Sequence, residues 1–251
     1  MPRKWRRVDG RRTRDISVPL VSVATSRATT ESIADRVYAL LRQDIASGAF
    51  RPGQRIHEKP LATRLDISRT PIREALLRLE IEGVVVCNSR RSYNVRILTV
   101  EDVRDIYQTL GMLEGAAAAA ATPRLTAQDL RDLRSHNAMM TSAAKEANLP
   151  AFGEWNRRFH DVFLLKLENR VLHDTCTLVR GALYTFPVQR HTLADWLRKS
   201  VAEHRTIIKL ATAGEAEAVG AYFRDVHWSF EKNLPYISDA FDRQGEAAVH
   251  L

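Results

Sequence analysis

Two sets of side chains in this sequence have types and spacings that could do chemistry. In the stretch DISRTPIREAL, Arg69 and Arg73 stand four residues apart, so on a helix they project from adjacent turns of one side. An arginine fork can make two bonds to guanine O6 and N7, while Ser68 and Thr70 beside it can bond phosphate. The free N–H groups of a helix start also favour an anion. The same residues equally describe the wet face of an amphipathic helix, and spacing alone leaves both readings open. The second set is three histidines. His160 follows Asn156 by four positions among Trp155, Phe159, Val162 and Phe163, His204 follows Glu203 between Val201 and Ile207, and His227 lies between Val226 and Trp228. Imidazoles from three helices could close a site for zinc, nickel or a similar ion inside a bundle. Spacing by itself favours the simpler reading of three separately bonded interior histidines. His57, His136, His173, His191 and His250 have no comparable context.

The elements that must position these groups are visible in the hydrophobic pattern. Ile33, Val37, Leu40, Leu41 and Ile45 repeat at helical spacing, with Thr30 as the expected N-cap and Gly48 as the stop. RPGQRI makes a turn into a short extended piece, and Lys59–Leu65 forms a second short helix. A third begins near Ser68–Pro71, buries Ile72, Ala75, Leu76 and Leu79, and stops at Gly83. Two β-rich runs follow, Val84–Cys87 and Tyr93–Leu98, separated by the polar NSRRS. Three helices and a two-stranded wing make a winged helix-turn-helix.

From Thr99 onward the pattern is helical. Thr99 caps a helix with Asp102 three positions on, and the alanine run 116–121 reads as a close-packing face ended by Pro123. Further helices are expected at about Ala127–Ala147, Ala151–Leu167, Val171–Thr185, Leu193–Ala213 and Ala216–Leu234. The predicted fold is therefore mainly α: an N-terminal winged helix-turn-helix followed by an all-α bundle. The expected boundaries are a disordered basic arm at 1–27, the winged module at 28–98, a ligand-binding and dimerisation bundle at 99–240, and a tail at 241–251.

Charge sharpens this division. The chain carries a formal net charge of +8, but residues 1–27 hold +6, residues 28–96 hold +4 and residues 97–251 hold −2. The positive excess thus sits where a polyanion partner would bind. The two cysteines, Cys87 and Cys176, are far apart and suit a reducing compartment better than a disulfide scaffold. No apolar run reaches the ~20 residues that span a bilayer, and the weakly apolar Ile16–Ala24 makes a poor export signal. A cytoplasmic location is expected.

DISRTPIREALLRLEIEGVV, together with VYALLRQDIASGAFRPGQRIHEKPLATRL before it, strongly resembles the reading module of the GntR family of bacterial transcription regulators. The resemblance covers roughly Thr29–Leu98. It implies that Arg69 and Arg73 read guanine, that Ser68, Thr70 and Pro71 lie beside them at the groove, and that Lys59 touches DNA. The wing of the family usually ends in an Arg-Gly pair; here the pair is Arg91-Ser92, with Arg90 before it, and serine lacks glycine's freedom to approach the minor groove. WNRRFHDVFL and SVAEHRTIIKLATAGEAEAVGAYFRDVHWS likewise resemble the all-helical effector (FCD) domain of the FadR-like subfamily. The resemblance implies a divalent metal held by His160, His204 and His227, with Asn156 standing where the family has aspartate. It also implies an arginine four residues before Glu114, a place taken here by Leu110.

The reading that follows is a sequence-specific regulator of metabolic genes, a repressor, binding a palindromic operator as a homodimer. Its DNA affinity would answer to a small metabolite, such as a carboxylate, in the metal-containing bundle. Two alternatives stand beside it: a metal-dependent enzyme using the histidine-lined bundle, and a non-specific architectural DNA-binding protein. Against the enzyme, the sequence holds no paired acid and base, no nucleophile arrangement and no phosphate-cradling glycine loop.

Overall fold

The computed structural model describes residues 32–46, 48–88, 92–185 and 190–238. The expected arm at 1–27, the expected cap Thr30, the wing arginines Arg90 and Arg91, and the tail 241–251 lie outside the described residues.

Helix α1 (Ile33–Ala46) opens on Ser32, whose Oγ accepts from the Asp35 N–H while Asp35 Oδ2 accepts from the Ser32 N–H. This reciprocal pair satisfies two end donors at once, which places the cap at Ser32. Gly48, at φ +79, closes the helix end. Strand β1 (Arg55–Ile56) leads into α2 (Glu58–Leu65), which ends on Asp66 in the left-handed region at φ 52. Helix α3 (Arg69–Ile81) starts from Ser68 in extended conformation. Pro71 lies in its first turn, where no N–H has an intrahelical partner to lose. Ile72, Ala75, Leu76 and Leu79 are fully buried against Leu41, Ile56 and Leu61.

Strands β2 (Val85–Asn88) and β3 (Ser92–Val95) pair antiparallel, Val85 opposite Val95 and Asn88 opposite Ser92. The expected two-stranded wing is a three-stranded sheet in the order β1-β3-β2, because Arg55 and Ile56 pair with Asn94 and Tyr93. Asn94 locks the arrangement, donating to the Gly53 carbonyl at 2.8 Å and accepting from Asn88 at 2.9 Å. The module is thus a winged helix-turn-helix with α3 as its second motif helix.

The helical part begins with α4 (Val100–Ala121), capped by the reciprocal Thr99–Asp102 pair. It continues through a 3-10 turn (Thr122–Arg124), α5 (Ala127–Lys145), α6 (Leu149–Lys166) and α7 (Arg170–Gly181). A second 3-10 turn (Ala182–Thr185) precedes α8 (Arg190–Ala213) and α9 (Ala216–Tyr222). Helix α4 runs through the middle, burying Val103, Tyr107, Leu110, Ala117, Ala118 and Ala121. The alanine run is a packing face, as expected, and its glycines go further. A Cβ on Gly220 of α9 would meet the Gly115 carbonyl oxygen at 2.7 Å, so the two backbones touch where neither residue carries a side chain.

The expected single helix Ala216–Leu234 is broken. Residues Phe223–His227 form a π turn, closed by the Trp228 N–H donating to the Phe223 carbonyl at 2.8 Å, and helix resumes at residues 230–238. The extra residue turns both His227 and Trp228 inward, a device common at functional sites. Among the described residues, no helix is long and apolar enough to cross a membrane.

Candidate functional site: an arginine face and a buried histidine cluster

The first turn of α3 presents Ser68, Arg69, Thr70 and Arg73 to solvent, with Pro71 half-buried and Lys59 exposed on α2. Ile72, Ala75 and Leu76 anchor the opposite side, so packing fixes the direction in which the arginines point. Arg73 does not hang free. Its Nε donates to Glu58 Oε2 at 2.8 Å, although the side chain remains 56% exposed. This bond uses Nε and neither terminal nitrogen, the pair that forks onto guanine. Glu58 was missed in the sequence as an orienting group; its place at the start of α2, fifteen residues before Arg73, was the available signal. Ser92 begins β3 next to the undescribed Arg90 and Arg91.

The second constellation is interior. His160 on α6, His204 on α8 and His227 in the π turn converge: one ring nitrogen from each lies within 4.8 Å of the others. Ring centroids are 5.3 Å apart for His160–His204, 5.1 Å for His160–His227 and 4.9 Å for His204–His227. The three histidines are therefore neighbours of one another, although His160 and His227 each bond a separate carboxylate.

Carboxylates fix how these rings face. Glu114 Oε2 lies 2.6 Å from His160 Nδ1 and accepts from Trp228 Nε1 at 2.9 Å, while Arg180 Nη2 sits 2.9 Å from Oε1. Burial alone would raise the Glu114 carboxyl, but Arg180, His160 and Trp228 hold it down at about 2. Glu114 is thus an ionised acceptor and His160 Nδ1 must donate, which leaves the Nε2 lone pair bare. Burial also lowers His160 to about 4, so the ring is neutral near pH 7. On the other side of the cluster, His227 Nδ1 lies 2.9 Å from Glu203 Oε2. Burial would raise Glu203 as well, yet His227 and Lys199 lower it. His204 is fully buried, stacks on Phe159 at 3.8 Å, and is driven well below the usual histidine range by burial and its two histidine neighbours.

The donor set suits a divalent ion. Among the described residues, His160 Nε2 and both ring nitrogens of His204 are buried with no hydrogen-bond partner. An unmatched buried polar group costs ~1–3 kcal/mol, and an ion at the centre removes that cost for its ligands. Carboxylates holding the far nitrogens of two rings are the outer partners that metal-binding histidines use. Asn156 Oδ1 is also buried without a partner, one helical turn before His160. It brings a neutral oxygen where aspartate would bring charge.

Beside the histidines lies a cavity of about 210 Å³. His227, Asn156, Arg180, Lys199, Glu203 and Trp228 contribute to its polar side, and Leu149, Phe152, Leu193, Trp196 and Leu197 to its apolar side. Ala46, at the end of α1, also reaches its wall. Leu110 is fully buried in the core, as an apolar residue should be, and the guanidinium beside Glu114 comes instead from Arg180 on α7. Glu114 and Arg180 were not singled out as site residues in the sequence. A lone glutamate in an otherwise apolar, alanine-rich stretch was the signal for the first; nothing local marks the second.

The description "Bacterial regulatory proteins, gntR family" matches residues 33–95, and "FCD domain" matches residues 105–226. An HTH-type transcriptional regulator of Agrobacterium vitis, from the TAR-I ttuE-ttuC' intergenic region, is 29% identical over 154 residues, covering 60% of this chain and 90% of that one. The HTH-type transcriptional repressor RspR of Escherichia coli (strain K12) is 25% identical over 155 residues, 62% of this chain and 68% of that one. Among solved structures, E. coli McbR/YncC superposes with a TM-score of 0.70 at 21% identity, covering 84% of this chain and 99% of that one, a likeness of fold.

Proposed function

Because the chain belongs to the gntR family of bacterial regulatory proteins and carries an FCD domain, so that it is a DNA-binding transcription regulator with an effector domain, we propose how its parts divide that work. Residues 28–98 bind the operator, residues 99–240 bind ligand and dimerise, 1–27 is a basic arm and 241–251 a tail. Arg69 and Arg73 read guanine edges, with Lys59, Ser68, Thr70, Pro71, Arg90 and Arg91 at the groove and backbone. A homodimer meets a palindromic operator, each symmetry matching the other. The protein acts as a repressor of metabolic genes in the cytoplasm, in keeping with the name of the E. coli relative.

His160, His204 and His227, with Asn156 as a fourth ligand, hold a divalent ion such as zinc or nickel. When bound, such an ion supplies a strong attraction for an anionic oxygen. The chain's own residues do the rest: Glu114 and Glu203 hold the ring faces, Phe159 backs His204, and the cavity walls exclude water. We read the site as one that binds rather than turns over, since Asn156 cannot serve as a general base and Glu114 and Glu203 are engaged by His160 and His227. Ala46 carries the effect onward. Occupancy of the cavity touches the end of α1, the first helix of the reading module, and coupling between ligand and DNA must then be reciprocal.

The observation that carries this reading is the convergence of three buried imidazoles, two of which, His160 and His204, have partnerless nitrogens. Elemental analysis of purified protein should find close to one divalent ion per chain, lost in a His160→Ala/His204→Ala variant; equal metal in both refutes the site. Arg73→Ala should relax preference at one guanine by ~1–3 kcal/mol in operator-binding assays, whereas a uniform loss across sequences would make it a phosphate contact.

A further inference from the structure

The three rings of the histidine site reach one point from different kinds of backbone. His160 and His204 stand on the regular helices α6 and α8, which aim them directly. His227 stands at the end of the π turn, where the chain leaves helix at Trp228 and Ser229 before helix resumes at residue 230. Carbonyls at such a break have no helical ladder to enter, and buried ones need another partner. The aim of His227 therefore depends on what holds this break.

Asn233, in the helix of residues 230–238, supplies the partner. Its Nδ2 donates to the His227 carbonyl at 3.2 Å and to the Ser229 carbonyl at 2.8 Å. Its Oδ1 accepts from Lys199 Nζ at 2.9 Å, and the same ammonium donates to Glu203 Oε1 at 2.5 Å. Glu203 Oε2 in turn lies 2.9 Å from His227 Nδ1. These contacts close a ring that runs from the His227 carbonyl through Asn233, Lys199 and Glu203 back to the His227 imidazole. An ammonium only donates and a carbonyl only accepts, so the two ends of the amide cannot be exchanged. Both of its polar atoms are engaged, as a side chain only 3% exposed requires. Lys199 and Glu203 belong to α8, so the ring also ties the π turn to the helix that carries His204.

We propose that Asn233 is a positioning residue for the histidine site, clamping the π turn so that the His227 ring meets His160 and His204. It touches no ligand itself and acts through the backbone of His227 at one end and, by way of Lys199 and Glu203, its ring at the other. The inference rests on the metal reading above for its consequence at the ion, whereas the clamp belongs to the metal-free chain.

The test uses the full chain and two measurements. In competition with a chromophoric chelator, Asn233→Ala should bind zinc about tenfold more weakly or worse, the loss usual for an outer partner of a metal-binding histidine. Asn233→Asp keeps the acceptor for Lys199 but loses the donor to the two carbonyls, and should lose most of the same affinity. In the chelated chain, hydrogen exchange over residues 223–229 should quicken about tenfold in Asn233→Ala, with α3 and the His160 segment of α6 unchanged. Lys199→Met opens the ring at a side chain 23% exposed and should shift both readouts in the same direction, which keeps the test decisive where Asn233→Ala does not fold. Exchange that quickens evenly across the bundle marks a merely structural residue and overturns the proposal, as does native zinc affinity in both Asn233 variants. A native chain that takes up no zinc counts against the metal reading alone, and local exchange at the π turn then decides the clamp.

Discussion

The two halves of this molecule handle charge in opposite ways. On α3 the arginines stay wet, and Arg73 is steadied by a single ion pair to Glu58 while remaining 56% exposed. In the bundle, Glu114, His160, His204 and Arg180 are all at or below 9% exposure; Glu114 meets His160 and Arg180, and His204 stacks on Phe159. An exposed charge stays hydrated and costs little to hold, so it is ready for a phosphate or a base edge. A buried one must be matched in advance, which sets its protonation state and ring orientation before any ligand arrives. Reading DNA needs the first arrangement; holding an ion or a small acid needs the second.

The largest test of this contrast is Glu114→Ala. It leaves the His160 N–H, the Trp228 N–H and the Arg180 guanidinium buried without their shared acceptor. Chemical denaturation should show a loss of ~3–5 kcal/mol, the cost of stripping one partner from a buried charge pair. A loss under 1 kcal/mol would mean that the interior charges are as loosely held as those on α3.

Acid should separate the halves next. His160 is lowered from 6.5 to about 4 and His204 is held well below the usual histidine range by burial, so the folded metal-free chain keeps both neutral where the unfolded chain already takes up protons. Stability from these rings is therefore complete above pH 6.5 and falls as pH drops from there through about 4. Glu114, lowered from 4.5 to about 2, adds a second loss below pH 4.5. Denaturation midpoints across pH 7 to 4 should fall in the native chain and fall less in a His160→Phe variant. A flat profile would break the claim that burial tunes this site.

The smallest effect is expected at Glu58→Gln. Exposed ion pairs contribute ~0–1 kcal/mol, so folding stability should barely move. Discrimination at the base proposed for Arg73 should weaken by less than it does in Arg73→Ala. Unchanged discrimination would show that the guanidinium finds its direction without Glu58.

How much of this was readable in advance depended on the distance over which each group acts. The winged module was legible because its parts are local: Ser68 and Pro71 start α3, Ile72, Ala75 and Leu76 bury it, and Arg69 and Arg73 follow by periodicity. Its third strand was not, since the pairing of Arg55–Ile56 with β3 spans about forty residues. In the bundle the histidines were visible as residues but not as a cluster. Glu114 meets His160 and Trp228 across 46 and 114 positions, contacts that no local spacing reports. The break at Phe223–His227 was likewise hidden, because the apolar pattern of Ala216–Leu234 continues smoothly through it.

The sequence by itself determined the mainly helical architecture, the charge division between the halves, the face that carries Arg69 and Arg73, and the identity of the three histidines. Periodicity, capping and turn chemistry act within a few residues and can be read directly. Only the tertiary structure decided that those histidines converge, that Glu114 and Glu203 meet two of them, and that Arg180 lies against Glu114. Each of these follows from packing α4, α6, α7, α8 and the π turn around two buried carboxylates, Glu114 and Glu203, and burial is a property of the whole fold.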